Sequence, residues 1–225
     1  MNAVTVDLAR SLERALLELG DASVVVVRGA GGNFSVGGDY HELAELRARG
    51  PDAVRELMAA FRDACRAVAQ VEVPVVAAVE GYAVAGGFEL MQSCDIALVR
   101  EDARIADHHL NMGMVPGGGG SQRLPRLVGR QRALAHILSG DRLTGSEAVA
   151  WGLAYRAYAA EDFEPGVEEL AERLAAKDSE ALAQTKRLVH EGLTRSLEAG
   201  LELELEAAVR HVASDRAMEL FARAR

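Results

Sequence analysis

Glu89 interrupts an apolar stretch, AVAGGFELM, that occupies residues 83–91. A carboxylate among such neighbours has two readings. Buried, it is desolvated, and its pKa rises toward the range of an acid/base group; exposed in the first turn of a helix, it is accounted for by the helix dipole alone. The flanking residues are too apolar for a solvated face, which favours burial. Just before Glu89, Ala85-Gly86-Gly87 is one of two glycine turns that each follow an apolar run; the other is Val36-Gly37-Gly38-Asp39. Without Cβ atoms such turns let a ligand oxygen approach backbone N–H groups closely, and an amide that opens a helix also feels the positive end of its dipole. Two amides converging on one oxygen make an oxyanion hole. The chemistry on offer is stabilisation of a developing oxyanion next to a group able to move a proton.

Other candidates carry less. GAGGNF and GGGGSQRL lack the lysine and hydroxyl pair of a nucleotide-triphosphate loop, and neither completes a dinucleotide fingerprint with its later acidic partner. Ser35 is not in a G-x-S-x-G elbow, so it is no candidate nucleophile. Asp39 reads as a turn-fixing or helix-capping residue beside the first glycine turn, and Asp95 as a structural turn residue. A net charge of -9 with a pI near 5.2 leaves no cluster of Lys and Arg for nucleic acid or a basic membrane patch. Cys65 and Cys94 supply neither a disulfide framework nor metal spacing and are expected as buried small residues in a reducing compartment. The first 20 residues are broken by Asp7, Arg10, Glu13 and Arg14, unlike a signal peptide or spanning helix, so a cytoplasmic protein is expected.

Positioning the glycine turns takes strands and helices. Leu8, Leu12, Leu16 and Leu19 recur at helical spacing up to Gly20, after which SVVVVRG reads as a short buried strand. A helix is expected from about Pro51 to Gln70, with proline in the favoured first turn. VPVVAAVEG reads as a strand, GGFELMQSC as a short helix, DIALVR and ARIAD as strands, and GGGGSQRLPRLVG as a glycine-led helix beginning at Pro116 and Gly117. Strand and helix in alternation predict parallel strands with crossover helices, an α/β fold. From Phe163 the chain turns to Ala, Leu, Glu and Arg, with Leu197, Leu201, Leu205, Ala208 and Val212 at helical spacing and Gly192 and Gly200 at breaks. Residues 1–160 are expected to form one core and 161–225 an all-helical region, within a chain of 225 residues that is 49% hydrophobic.

Four segments in this order, RGAGGNFSVGGD, AAVEGYAVAGGFELMQSCDIAL, MGMVPGGGGSQRLPRLVG and LTGSEAVAWGLAY, resemble the enoyl-CoA hydratase/isomerase (crotonase) superfamily over nearly the whole chain. The resemblance implies a spiral of ββα turns followed by a C-terminal helical region that mediates trimers, usually paired into hexamers. It implies an acyl-CoA thioester as substrate, with no metal and no cofactor beyond the coenzyme A of the substrate. Carried over residue by residue, the amides of Gly38 and Gly86 hold the thioester carbonyl, and Glu89 matches the first catalytic glutamate. Val36, Asp39 and Tyr40 after the first strand, and Pro116 and Gly117 at the expected helix start, are the candidate substrate-binding residues. Tyr40 and His41 either line the acyl pocket or lie exposed on the helix that starts there.

Two departures from the family pattern matter. Where familiar hydratases carry a second glutamate, ADHHLNMGMVPGGGG places His109. Either His109 moves the second proton, oriented by Asp107 or a carbonyl, or it only hydrogen-bonds Asn111 or backbone in a site needing a single base. His108 is expected to be structural. A metal held by Asp107, His108 and His109 is disfavoured, since adjacent residues of an extended segment point to opposite sides. The second departure is that the first strand and basic-Pro turn that precede the Asn-Ala of the family are missing before Asn2-Ala3. Either the start codon is misplaced or the grip on coenzyme A is altered, and the same gap permits a thioester borne on a carrier protein. The leading expectation is a hydratase or dehydratase; a single-base isomerase or decarboxylase and a non-catalytic subunit of the same fold are the alternatives.

Overall fold

Apolar runs bounded by glycine or proline set the strands, and the computed structural model, which describes residues 1–223, shows how they are joined. The chain opens with α1 (Val6–Leu17) and β1 (Val25–Arg28), then α2 (Tyr40–Arg49) and α3 (Pro51–Gln70). Next come β2 (Val75–Val79), β3 (Tyr82–Val84), α4 (Gly86–Ser93), β4 (Ile96–Arg100) and β5 (Arg104–Ala106). A 3₁₀ turn (Leu110–Met112) precedes α5 (Gly120–Val128), α6 (Arg130–Ser139), α7 (Gly145–Ala150) and β6 (Arg156–Tyr158). The remainder is helical: α8 (Ala160–Ala175), α9 (Ser179–Gly192), α10 (Leu197–Val212) and α11 (Asp215–Arg223).

The main sheet has the order β1-β2-β4-β6 with every neighbour parallel, as the alternation of strands and helices predicts. β3 and β5 pair in parallel in a second sheet, which the bridges Ser35 to Ala83 and Val4 to Gly38 extend. The chain thus lays one strand in each sheet per turn before crossing back through a helix, and this ββα repeat is the expected spiral. Each residue of β2 is buried, and strand geometry sends successive side chains to opposite faces. Ala77 and Val79 join the principal core with Phe61 and Phe88, while Val76 and Ala78 pack with Phe163, Val167 and Leu170 of α8. α8 therefore covers the sheet, although it lies almost wholly in the region expected as an appendage.

The helix from Pro51 to Gln70 has the expected bounds, with proline in its first turn. Two strands escaped the sequence reading: β3 and β6, of three residues each. A correction concerns Pro116 and Gly117, which do not begin a helix; α5 starts at Gly120, and residues 113–119 form a loop. Cys65 is buried and its thiol is pushed up to about 11 by desolvation, whereas Cys94 is partly buried.

Candidate active site

The second glycine turn is built on backbone strain. Ala85 sits at φ 48° and ψ -119°, a region that costs an alanine on the order of 1–3 kcal/mol. That conformation lets the Ala85 N–H donate to the Ala106 carbonyl at 3.0 Å while Gly86 opens α4. First-turn amides have no partner inside a helix, so the Gly86 N–H is left available. The first turn faces it: a Cβ on Gly37, at φ +86°, would lie 2.7 Å from the Gly86 nitrogen. On the flank of Gly38 the Asp39 N–H donates to the Val4 carbonyl at 2.9 Å. Among the described residues, neither the Gly38 nor the Gly86 N–H has a protein acceptor. A Cβ on Gly38 would meet nothing within 4 Å, so that side of the turn is open.

Glu89 lies one helical turn after Gly86 and is 2% exposed. Its Oε1 accepts hydrogen bonds from the backbone N–H groups of Gly118 and Gly120, both at 2.8 Å. Burial pushes its pKa up; the bonds from Gly120 and Gly118 and the proximity of His109 pull it back only in part. Its other oxygen, Oε2, stands 3.8 Å from His109 Nε2. That is too long for a direct hydrogen bond, and a single water oxygen could lie about 2.8 Å from both atoms.

His109 follows His108, which adopts the left-handed conformation at φ 61°, and leads into the 3₁₀ turn. Its Nδ1 lies 2.9 Å from Asp107 Oδ1, which also accepts from the His109 backbone N–H at 3.3 Å. Since Asp107 Oδ1 accepts, Nδ1 carries hydrogen and Nε2 is the nitrogen turned to Glu89. Burial lowers the His109 pKa, but the Asp107 bond and the charges of Glu89 and Asp107 outweigh it, and the net shift is upward. Asp107 is fully buried, with Oδ2 unpartnered. Its backbone N–H donates to His136 Nε2 at 3.3 Å, and desolvation keeps the His136 pKa low. His136 packs against Phe88 and Trp151, with ring centroids 5.3 and 5.9 Å away. Sequence reasoning missed His136, because a lone histidine on α6 gives no local signal that it meets Asp107.

A cavity of about 360 Å³ joins these parts. Gly38, Gly86, Glu89 and His109 line it together with Leu57, Met58 and Phe61 of α3. Val36, Tyr40 and Gly117 line it as well, Tyr40 being 70% exposed at its edge. Asp39 does not: its carboxylate accepts the Glu42 N–H at 2.9 Å and caps α2. Pro116 also lies outside the lining, in the loop before α5. His108 turns its Nδ1 to Asn111 Nδ2 at 2.9 Å while His109 turns to Asp107, so the adjacent side chains do diverge. Ser35 is spent on structure, accepting from the Gly37 N–H and donating to the Asn2 carbonyl.

A family model for enoyl-CoA hydratase/isomerase matches residues 1–222. The chain belongs to that family. A crotonyl-CoA hydratase of Syntrophomonas wolfei is 30% identical over 211 residues, which cover 92% of this family member and 80% of that protein. The crystal structure of an enoyl-CoA hydratase from Bacillus anthracis superposes with a TM-score of 0.91 at 30% identity, over 99% of this chain and 88% of its own. A Thermobifida fusca protein solved in complex with acetoacetyl-CoA has a TM-score of 0.84 at 26% identity, over 94% and 86% of the two chains. These matches make the crotonase spiral the fold of this enoyl-CoA hydratase/isomerase family member.

Proposed function

We propose that this protein adds water to, or removes it from, the α,β double bond of an acyl-CoA thioester. The observation that carries the reading is that two acceptor-free amides, of Gly38 and Gly86, line the same cavity as Glu89 and His109. The acetoacetyl-CoA held by the Thermobifida fusca relative supports the substrate class. A thioester carbonyl oxygen placed between the two amides gains negative charge as the enolate forms, and each such donor lowers the barrier by about 3 to 4 kcal/mol. Glu89 Oε2 takes a proton from water while the water oxygen bonds to the β-carbon. His109 Nε2–H delivers a proton to the α-carbon as the enolate collapses. The proton left on Glu89 then returns to His109 across their 3.8 Å separation, which restores both groups. Dehydration runs through the same steps in reverse. No cofactor beyond coenzyme A enters these steps.

A single-base isomerase or decarboxylase needs one of the two groups, and the approach of His109 to Glu89 favours a reaction that uses both. Crotonyl-CoA incubated with the protein is expected to gain the mass of one water. Glu89→Gln is expected to slow this by at least about a hundredfold, and His109→Ala to slow it as well. Loss of carbon dioxide from a malonyl-type thioester, or turnover that survives His109→Ala, would overturn the hydratase reading in favour of the single-base one.

We further propose that the protein works as a homotrimer or hexamer. Leu197, Leu201, Leu205, Val209 and Val212 form an exposed apolar stripe along α10 that a single chain leaves uncovered. The same reading covers free acyl-CoA and its carrier-protein equivalent, since the pantetheine arm is common to both. Two free cysteines fit a reducing compartment such as the cytoplasm. Among the described residues no helix is long and apolar enough to cross a membrane.

A further inference from the structure

Besides the apolar side chains of α3, the cavity lining includes hydrogen-bond donors that the hydration chemistry leaves unused. Tyr82, His108 and Arg142 line the cavity. The Arg142 guanidinium lies 5.9 Å from the Tyr82 ring centroid, and a second guanidinium, of Arg104, lies 5.3 Å from the same ring. Arg104 also donates through Nη1 to the Tyr82 hydroxyl, which leaves the hydroxyl hydrogen free to donate in turn. His108 Nδ1 receives the Asn111 amide, so its proton sits on Nε2. Among the described residues neither Arg104 nor Arg142 forms a salt bridge with a carboxylate, so both guanidiniums keep their charge free for a ligand. Both guanidiniums carry positive charge beside one ring, which favours an anion placed between the donors.

We infer that Tyr82, His108 and Arg142 form an anion subsite that recognises a negatively charged oxygen group of the thioester substrate. The inference rests on the thioester reading above and extends it to the substrate's charge. Two parts of such a substrate carry the chemistry: a carboxylate at the far end of the acyl chain, or the phosphates of coenzyme A. Arginine suits either, because its planar fork donates two parallel N–H bonds to carboxylate or phosphate oxygens. Outside the oxyanion amides and the acid/base pair, Leu57, Met58, Phe61 and Met112 of the lining are apolar and offer such an anion nothing.

Binding to unreactive saturated thioesters separates this inference from catalysis. Calorimetric titration of butyryl-CoA, glutaryl-CoA and butyryl-pantetheine is compared between the wild-type protein, Arg142→Gln and Tyr82→Phe, with thermal melts to confirm folding. The pantetheine thioester carries no anion, so it measures whatever loss is unrelated to charge. Recognition of an acyl carboxylate predicts that glutaryl-CoA affinity falls about five- to tenfold relative to butyryl-CoA in Arg142→Gln, and that added salt shrinks the difference. Recognition of the coenzyme A phosphates predicts an equal fall for both CoA thioesters relative to butyryl-pantetheine. Tyr82→Phe, which keeps the ring and removes one donor, is expected to show the same pattern to a smaller degree. Equal changes for all three ligands, or no change in any, would overturn the subsite. Absence of hydration of crotonyl-CoA by the wild-type protein would instead overturn the hydratase reading, and the titrations would still decide the subsite.

Discussion

At the scale of the residue, Asp107 decides what kind of group His109 is. An imidazole with its Nδ1–H fixed on a buried carboxylate presents Nε2 to the cavity, and the neighbouring negative charges shift its pKa upward, which favours the protonated form. Asp107→Asn removes that charge and lets the tautomers exchange. Since the upward shift of His109 depends on Asp107, its loss lowers the His109 pKa, and protonated His109 is then lost at lower pH. The alkaline limb of kcat/KM is expected to move down in the variant, with kcat falling by about ten- to a hundredfold, read from a pH–rate profile. The acid limb reports Glu89, which works as a carboxylate base. Burial raises its pKa, so activity is expected to fade at a pH above the ordinary carboxylate value of about 4.3 as the solution is acidified. Glu89→Gln abolishes that limb together with most of the activity.

The glycine loop before α5 is the element on which the site turns. The Gly118 N–H of the loop and the Gly120 N–H that opens α5 both donate to Glu89 Oε1, so the loop and the helix start together hold the carboxylate. Gly118 has no space for a side chain: a Cβ there would lie 2.4 Å from Phe61 Cε1 and 2.8 Å from Glu89 Oε2. Gly118→Ala is expected to displace the loop and lower kcat by at least about tenfold, with a destabilisation of about 1–3 kcal/mol in chemical denaturation. Gly192, at the end of α9, would meet nothing within 4 Å, so Gly192→Ala serves as the contrasting variant with little expected change in either quantity. Equal effects of the two substitutions would show that packing against Phe61 and Glu89 is not what fixes the loop.

For the whole molecule, the question is how the C-terminal helices are held and what they present. α9 is tied to the core through Asp95, whose carboxylate lies 2.8 Å from Lys186 Nζ and 2.7 Å from His190 Nε2 and also accepts the Val75 N–H. Lys186 Nζ donates in addition to the carbonyls of Val68 and Val73. The turn role expected for Asp95 thus extends to anchoring a helix about ninety residues away in sequence. With α9 fixed, α10 packs alongside it and keeps its leucine stripe outward. Sedimentation analysis is expected to find particles of at least three times the 24.0 kDa chain. Leu205→Glu, which sets a charge in the middle of the stripe, is expected to shift them toward the single chain. A monomeric wild-type protein would rule out the proposed assembly.

Local sequence by itself determined the long elements and the backbone of the chemistry. The bounds of the helix from Pro51 to Gln70, the parallel direction of the strands and the burial of Glu89 follow from hydrophobic period, proline position and the apolar neighbours of one carboxylate. The two glycine turns were legible because glycine next to a strand end is a statement about backbone approach, and Gly37 and Gly86 do approach each other. Tertiary structure alone decided the partners. Glu89 receives its amides from a loop some thirty residues later, His136 reaches Asp107 from another helix, and Asp39 spends its carboxylate on a cap. Such contacts leave no period or motif behind, because they depend on where the spiral returns the chain. Tyr82 and Arg142 illustrate the same point from the cavity side, since the two residues meet only when the second sheet is assembled.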